Sequence, residues 1–186
     1  GGTASAISLG HAASLALMVC RLTEGKDRWK DGWGTAHRVE KLAGPLLDHS
    51  SDLAQQDSEA FEKVMACFKL PKTTDEEKIS RKGAIDAATL FAAEVPYQTA
   101  KSAVDLLELL PNLARLGNAN AVTDVGVAGL LASAAAKGAL FNVEINLNSL
   151  PLNAGEHIRQ ELPVLKEASR LYSRQIMDEV RDRMDS

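Results

Sequence analysis

Apolar and polar positions along this chain recur at helical spacing, and no stretch alternates as a strand would. Residues 1–23, GGTASAISLGHAASLALMVCRLT, are small and apolar nearly all round, with Ala6, Gly10, Ala13 and Leu17 at helical spacing. Such a segment predicts a buried, central helix. The charged, glycine-containing segment EGKDRWKDGWG at 24–34 predicts a turn, with Trp29 and Trp33 covering one end of the structure. Residues 35–70 predict a long helix whose apolar face carries Leu42, Leu46, Leu53, Phe61, Val64, Met65 and Phe68. Pro45 is expected to kink or split it. PKTT at 71–74 reads as a loop. Thr74, followed by Asp75, Glu76 and Glu77, matches a capping box and predicts a helix to about residue 94. Pro96 marks a kink or a restart, and a further helix reaches Arg115. After a loop at 149–155, an amphipathic helix is expected over Glu156–Met184, with Leu162, Leu165, Ala168, Tyr172, Ile176 and Val180 on one face and a bend at Pro163.

Between these lies the stretch GNANAVTDVGVAGLLASAAAKGALFNVEINL at 117–147, around which the other elements are expected to pack. Gly117 can take positive φ and end the preceding helix. Asn118, Asn120 and Thr123 are good N-cap types, and Asp124 would lie in a first turn, where a carboxylate suits the helix dipole. On one helix Asp124, Ala128, Leu131, Ala135, Gly138, Asn142 and Asn146 share a stripe that lets another backbone approach. Asp124 and Asn142 would stand about 27 Å apart, so an antiparallel partner across a twofold axis is what could bring the two together. These patterns predict an all-α fold: an antiparallel bundle of about five to seven long helices, in one domain over 1–186.

Composition narrows the function classes. The chain has 186 residues, 45% of them hydrophobic and only 4% aromatic, which fits a helical domain with a real core. A net charge of −4 with scattered Lys and Arg argues against a nucleic-acid or anionic-membrane partner. Residues 1–20 carry no Asp, Glu, Lys or Arg, yet they lack a basic leader and are rich in Gly, Ser and Thr. A buried helix is expected there, not a signal peptide or membrane span. Cys20 and Cys67 lie far apart in apolar runs and read as buried thiols of a reducing, cytoplasmic compartment. An initiator Met and a leading segment are expected upstream of Gly1.

Single residues say little at this level. His11, His37, His49 and His157 show no metal spacing, and no HExxH, CxxC or phosphate-loop motif occurs, so no metal site and no tightly bound cofactor are expected. Asp48-His49-Ser50 is a triad on paper only, because adjacent helical residues point apart. Asp57, Lys72, Lys78 and Arg81 read first as solvated groups, and Asp124 as a cap-proximal acid. Asn142 and Asn146 stand among apolar residues. A buried amide without partners costs about 1–3 kcal/mol, so they either satisfy backbone groups or hydrogen-bond a ligand.

Several segments, read together and in order, resemble a known family. They are Gly1-Gly2-Thr3 leading to LALMV at 15–19, QDSEAFEKVM at 56–65, LPKTTDEEK at 70–78, Val95-Pro96, GNANAVTDVGVA at 117–128 and FNVEINL at 141–147. The chain is similar to the cyclodeaminase/cyclohydrolase family, the C-terminal domain of formiminotransferase-cyclodeaminase and its stand-alone relatives. The resemblance implies an all-helical homodimer acting on one-carbon tetrahydrofolates, with the folate as substrate and no nucleic-acid or membrane partner. It also implies that the family's catalytic aspartate, which precedes EAF, is Asp57 here. Thr3 and Thr123 stand where the family often has Ser, and Pro45 is unusual for it.

On that footing Asp57 would serve as the general acid–base group, and Lys72, Lys78 and Arg81 would clamp the anionic glutamate tail. Asn118, Asp124, Asn142 and Asn146 would pair with the pterin edge. Gly1, Gly2 and Thr3 would let backbone approach the ligand. Residue types do not separate ring closure with loss of ammonia (cyclodeaminase, the slightly preferred expectation) from hydrolytic ring opening (cyclohydrolase). A folate-binding dimer without catalysis is the alternative from another class.

Overall fold

The computed structural model describes residues 1–185. Five α-helices form the fold: α1 (Gly2–Thr23), α2 (Trp33–Cys67), α3 (Asp75–Leu116), α4 (Val122–Asn148) and α5 (Glu156–Met184). Short 3-10 turns at Asp27–Gly32 and Ala119–Ala121 link α1 to α2 and α3 to α4, and there is no strand among the described residues. The number of helices falls at the low end of the expected range because prolines do not divide them. α2 runs unbroken through Pro45, and α3 is one helix of 42 residues through Pro96 and Pro111.

The continuity at Pro96 has a specific cause. Proline has no N–H, so the carbonyl of Ala92, one turn earlier, loses its helical partner. The side chain of Asn146 on α4 supplies the missing donor, Nδ2 to Ala92 O at 2.7 Å. The exposed Pro45 instead leaves its orphaned carbonyl on a solvated face.

Helices consecutive in the chain run antiparallel, whereas α3 and α5 run parallel, with Tyr97 beside Glu161 and Arg115 beside Glu179. Thr3 at the start of α1 meets Asp57 on α2, while at the other end Trp33 Nε1 donates to Thr23 O at 3.1 Å. Gly129 and Gly126 of α4 receive Ile176 and Val180 of α5, and a Cβ on Gly129 would lie 2.8 Å from Ile176. The small-residue stripe of α4 is covered by α1 of the same chain. Ser8 Oγ donates to Leu131 O at 2.9 Å, and a Cβ on Gly138 would lie 2.5 Å from Ser5 Oγ. The expectation that a partner's helix lies along this stripe is therefore corrected. The core is built largely of alanine and leucine, with Leu9, Leu106, Leu107 and Leu110 fully buried. By length and composition α1 and the Ala119–Asn148 segment could each cross a membrane, and about half of the apolar window in each, 50% and 56%, is buried inside the bundle.

Local signals mostly act as predicted. The Thr74–Glu77 capping box is complete. Gly117 departs from expectation: its φ is −73°, and the glycine is needed because a Cβ would lie 2.5 Å from Leu113 O. The left-handed glycines are Gly25 and Gly155. Cys20 is buried, and burial, then the nearby Glu24 and Glu40, push its thiol up to about 12. Cys67 is half-buried, not buried as its apolar neighbours suggested, because the last turns of α2 project beyond the core.

α2 and α3 continue past the start of α1 as a two-helix arm. The arm leaves Phe61, Met65, Phe68 and Ile79 exposed. Asn146→Ala is expected to destabilise the fold by about 1–3 kcal/mol in urea unfolding, since Ala92 O is left without a donor. In a Pro96→Ala background the restored N–H should remove most of that loss.

Candidate active site

Where the arm leaves the bundle, a groove of about 530 Å³ opens between α2 and the last turns of α4. Gly1, Thr3 and Asp57 form its base, Phe61, Val64, Met65 and Phe68 one wall, and Ala92, Asn142, Ile145 and Asn146 the other. The α2 residues follow from the i, i+3, i+4 pattern of the apolar face. On the arm, no helix among the described residues covers that face.

Asp57 is half-buried and tied to the start of α1. Oδ2 accepts from the Thr3 backbone N–H at 2.7 Å and from the Thr3 hydroxyl at 2.8 Å. Oδ1 has no donor among the described residues. α1 has no side-chain cap of its own, so Asp57 acts as its cap from another helix and meets the positive end of its dipole. Gly2 makes the contact possible, because a Cβ there would lie 2.0 Å from Asp57 Oδ1. A Cβ on Gly1 would lie 2.8 Å from Asn142 Nδ2. Gly2 thus serves the acid and does not line the groove.

Both asparagines use their nitrogen on backbone. Asn142 Nδ2 donates to Gly138 O at 2.8 Å, and Asn146 Nδ2 to Ala92 O. Neither Oδ1 has a donor among the described residues, so each amide satisfies a carbonyl and still offers an acceptor at the groove. Arg81 adjoins the wall: Nη2 donates to Phe68 O at 3.0 Å, and the guanidinium lies 5.5 Å from the Phe68 ring centroid.

Besides Gly2 and Arg81, four of the sequence-selected residues do not line the groove. Lys78 pairs with Asp75 at 2.8 Å, and Lys72 is exposed in the loop before α3. Asn118 lies at the far end of the bundle, where Nδ2 donates to Leu22 O at 2.9 Å and the backbone N–H to Thr23 Oγ1 at 3.0 Å. Asp124, in the first turn of α4, is at that same end. These placements follow from helix length, which local motifs do not convey. Sequence reasoning missed Ser58, Ala92 and Ile145, which line the groove. The signal for Ile145 was its position three residues from Asn142, one turn of the same helix.

One cluster of metal-ligand type stands apart. Glu24, His37 and Glu40 bring ligand atoms within 4.8 Å of one another where α1 ends and α2 begins. His37 and Glu40 are one turn apart, but Glu24 comes from another element, which spacing rules cannot see.

A half-buried carboxylate on a helix start, beneath an apolar wall and beside two amides, can exchange a proton and offer acceptors to an apolar, hydrogen-bonding molecule. A family model described as formiminotransferase-cyclodeaminase matches residues 1–162, and the chain belongs to that family. It is 35% identical over 176 residues to a methenyltetrahydrofolate cyclohydrolase of Methylorubrum extorquens, covering 94% of this chain and 85% of that protein. It is 28% identical to the formimidoyltransferase-cyclodeaminase of Sus scrofa, covering 98% of this chain but only 34% of that longer protein. Its fold superposes on the crystal structure of formiminotetrahydrofolate cyclodeaminase from Thermotoga maritima with a TM-score of 0.78, at 27% identity over the whole of this chain and 87% of that one.

Gly2→Ala is expected to dislodge Asp57 from Thr3. The Thr3 amide, which has no intrahelical acceptor, should then exchange its hydrogen at least about tenfold faster, measured by NMR at neutral pH.

Proposed function

We propose that this chain is a methenyltetrahydrofolate cyclohydrolase, opening 5,10-methenyl-tetrahydrofolate with water to 10-formyl-tetrahydrofolate. The observation that carries the reading is Asp57 fixed at the base of a groove of about 530 Å³ with an apolar wall and two amides. The likeness to a cyclohydrolase over nearly the full length of both chains supports hydrolysis over ring closure. The slight preference for the cyclodeaminase reading is thereby reversed. The cyclodeaminase reaction stays the second reading, favoured by the likeness to the Thermotoga maritima structure.

The chemistry follows from one carboxyl group. The methenyl bridge is a cation, which a carboxylate attracts. Asp57 takes a proton as water adds to the bridging carbon. It then returns a proton to nitrogen-5 as the carbon–nitrogen bond breaks, leaving the formyl group on nitrogen-10 and releasing one proton to solvent overall. Positioned acid–base help of this kind contributes about 10²–10⁴-fold. The aromatic wall packs the ring system, and the free Oδ1 atoms of Asn142 and Asn146 accept from N–H groups of the pterin. Arg81, beside Phe68 at the end of the wall, is the cation we assign to the anionic tail, a role that the paired Lys78 fills less well.

The outer face of α4 is the surface we assign to a second copy of the chain. Val127, Leu130, Phe141 and Ile145 recur there at helical spacing, and Phe141 and Ile145 are 69% and 67% exposed. A homodimer through this face buries them beside the groove.

Purified protein should hydrolyse methenyl-tetrahydrofolate, followed by loss of its ultraviolet absorbance, faster than it releases ammonia from formimidoyl-tetrahydrofolate. The opposite ranking would make the cyclodeaminase reading correct. Asp57→Asn should lower the rate at least about a hundredfold with the helical circular dichroism unchanged. Phe141→Asp should halve the mass seen by light scattering; a wild-type monomer at micromolar concentration would remove the dimer.

A further inference from the structure

We propose that Thr3 is a positioning residue for Asp57, resting on the cyclohydrolase reading above: it holds Oδ2 so that Oδ1 is the oxygen that exchanges protons with the substrate. Thr3 lines the groove, which by itself would make it a ligand contact. Its hydrogen bonds point elsewhere. The backbone N–H and the hydroxyl proton both go to the same carboxylate oxygen, at 2.7 and 2.8 Å. With its hydroxyl hydrogen committed, Thr3 has no donor left for a ligand.

The two bonds come from one residue on a rigid helix and converge on one atom. A carboxyl group held at one contact can still rotate about its last torsion and exchange its oxygens. Two donors at Oδ2, with Gly2 directly against Oδ1, remove that freedom. Oδ1 is left as the oxygen without a protein donor, and an acid–base group must present one defined oxygen to the reacting atoms. α1 itself is anchored close by, since Ser5 fits against Gly138 and Ser8 bonds to Leu131 O. The placement of the carboxylate is therefore set by α1 and α4, not by α2 alone.

The test is a double-mutant cycle with Thr3→Val, which keeps the shape and the backbone donor but removes the hydroxyl. With methenyl-tetrahydrofolate, kcat should fall about tenfold while KM stays within about twofold. Thr3→Ser should restore kcat to within about threefold, because it returns the donor. In an Asp57→Asn background, Thr3→Val should cause no further loss, since its effect passes through the carboxylate. Circular dichroism checks folding, and Thr3→Ala replaces the valine variant if that one does not fold. Additive losses in the cycle, or a raised KM with kcat unchanged, would overturn the proposal and make Thr3 a direct ligand contact, leaving the role of Asp57 intact. Full activity of Asp57→Asn would remove the acid assignment itself, and this proposal with it.

Discussion

The bond between Asp57 and the opening turn of α1 is the constraint around which the rest of the site is arranged. A helix start leaves amide hydrogens unsatisfied, and a mid-helix aspartate on a solvated rod has nothing to hold it still. Each meets the other's need. That pairing requires a glycine at position 2, because any side chain there would strike the carboxylate. It also requires α1 to be held in register with α4, which the small residues of α4 permit by letting Ser5 and Ser8 come close. A run of alanines and glycines in the middle of the bundle thereby governs the placement of one acid at its edge.

A second accommodation sits across the groove. Pro96 withholds a donor from Ala92, and Asn146 provides one from a different helix. Because the carbonyl is satisfied from outside, α3 stays a single rod where a break was expected. The same amide brings α3 and α4 together beside the groove and leaves an oxygen for a ligand. The two alternatives posed by the asparagines in the sequence, backbone satisfaction or ligand binding, are not exclusive: the nitrogen does the first, and the oxygen is left for the second.

Much of the fold was legible because it rests on local signals. The Thr74–Glu77 cap, the amphipathic pattern of the last helix and the apolar character of the first are properties of short windows. The site was only partly legible because it joins windows far apart. Nothing local to Gly2 announces that it clears space for Asp57, and nothing local to Asn118 says that it latches the end of α1 at Leu22 and Thr23. Asp124 and Asn142 share a helical phase and their separation along the axis was legible; what was not is that α1 of the same chain covers the stripe between them. Pro96 misled for a related reason: the helix-breaking tendency is intrinsic, whereas the donor that offsets it comes from another helix.

The arm formed by α2 and α3 gives the groove two unequal sides. Asp57 sits at the fulcrum, pinned to α1, while Phe61, Met65 and Phe68 ride outward along a lever that α1 no longer braces. A small flexure of that lever displaces the aromatic tip more than the acid at its root. The entrance can thus widen or narrow while the carboxylate keeps its place, which makes the width of the groove and the position of its acid mechanically separate.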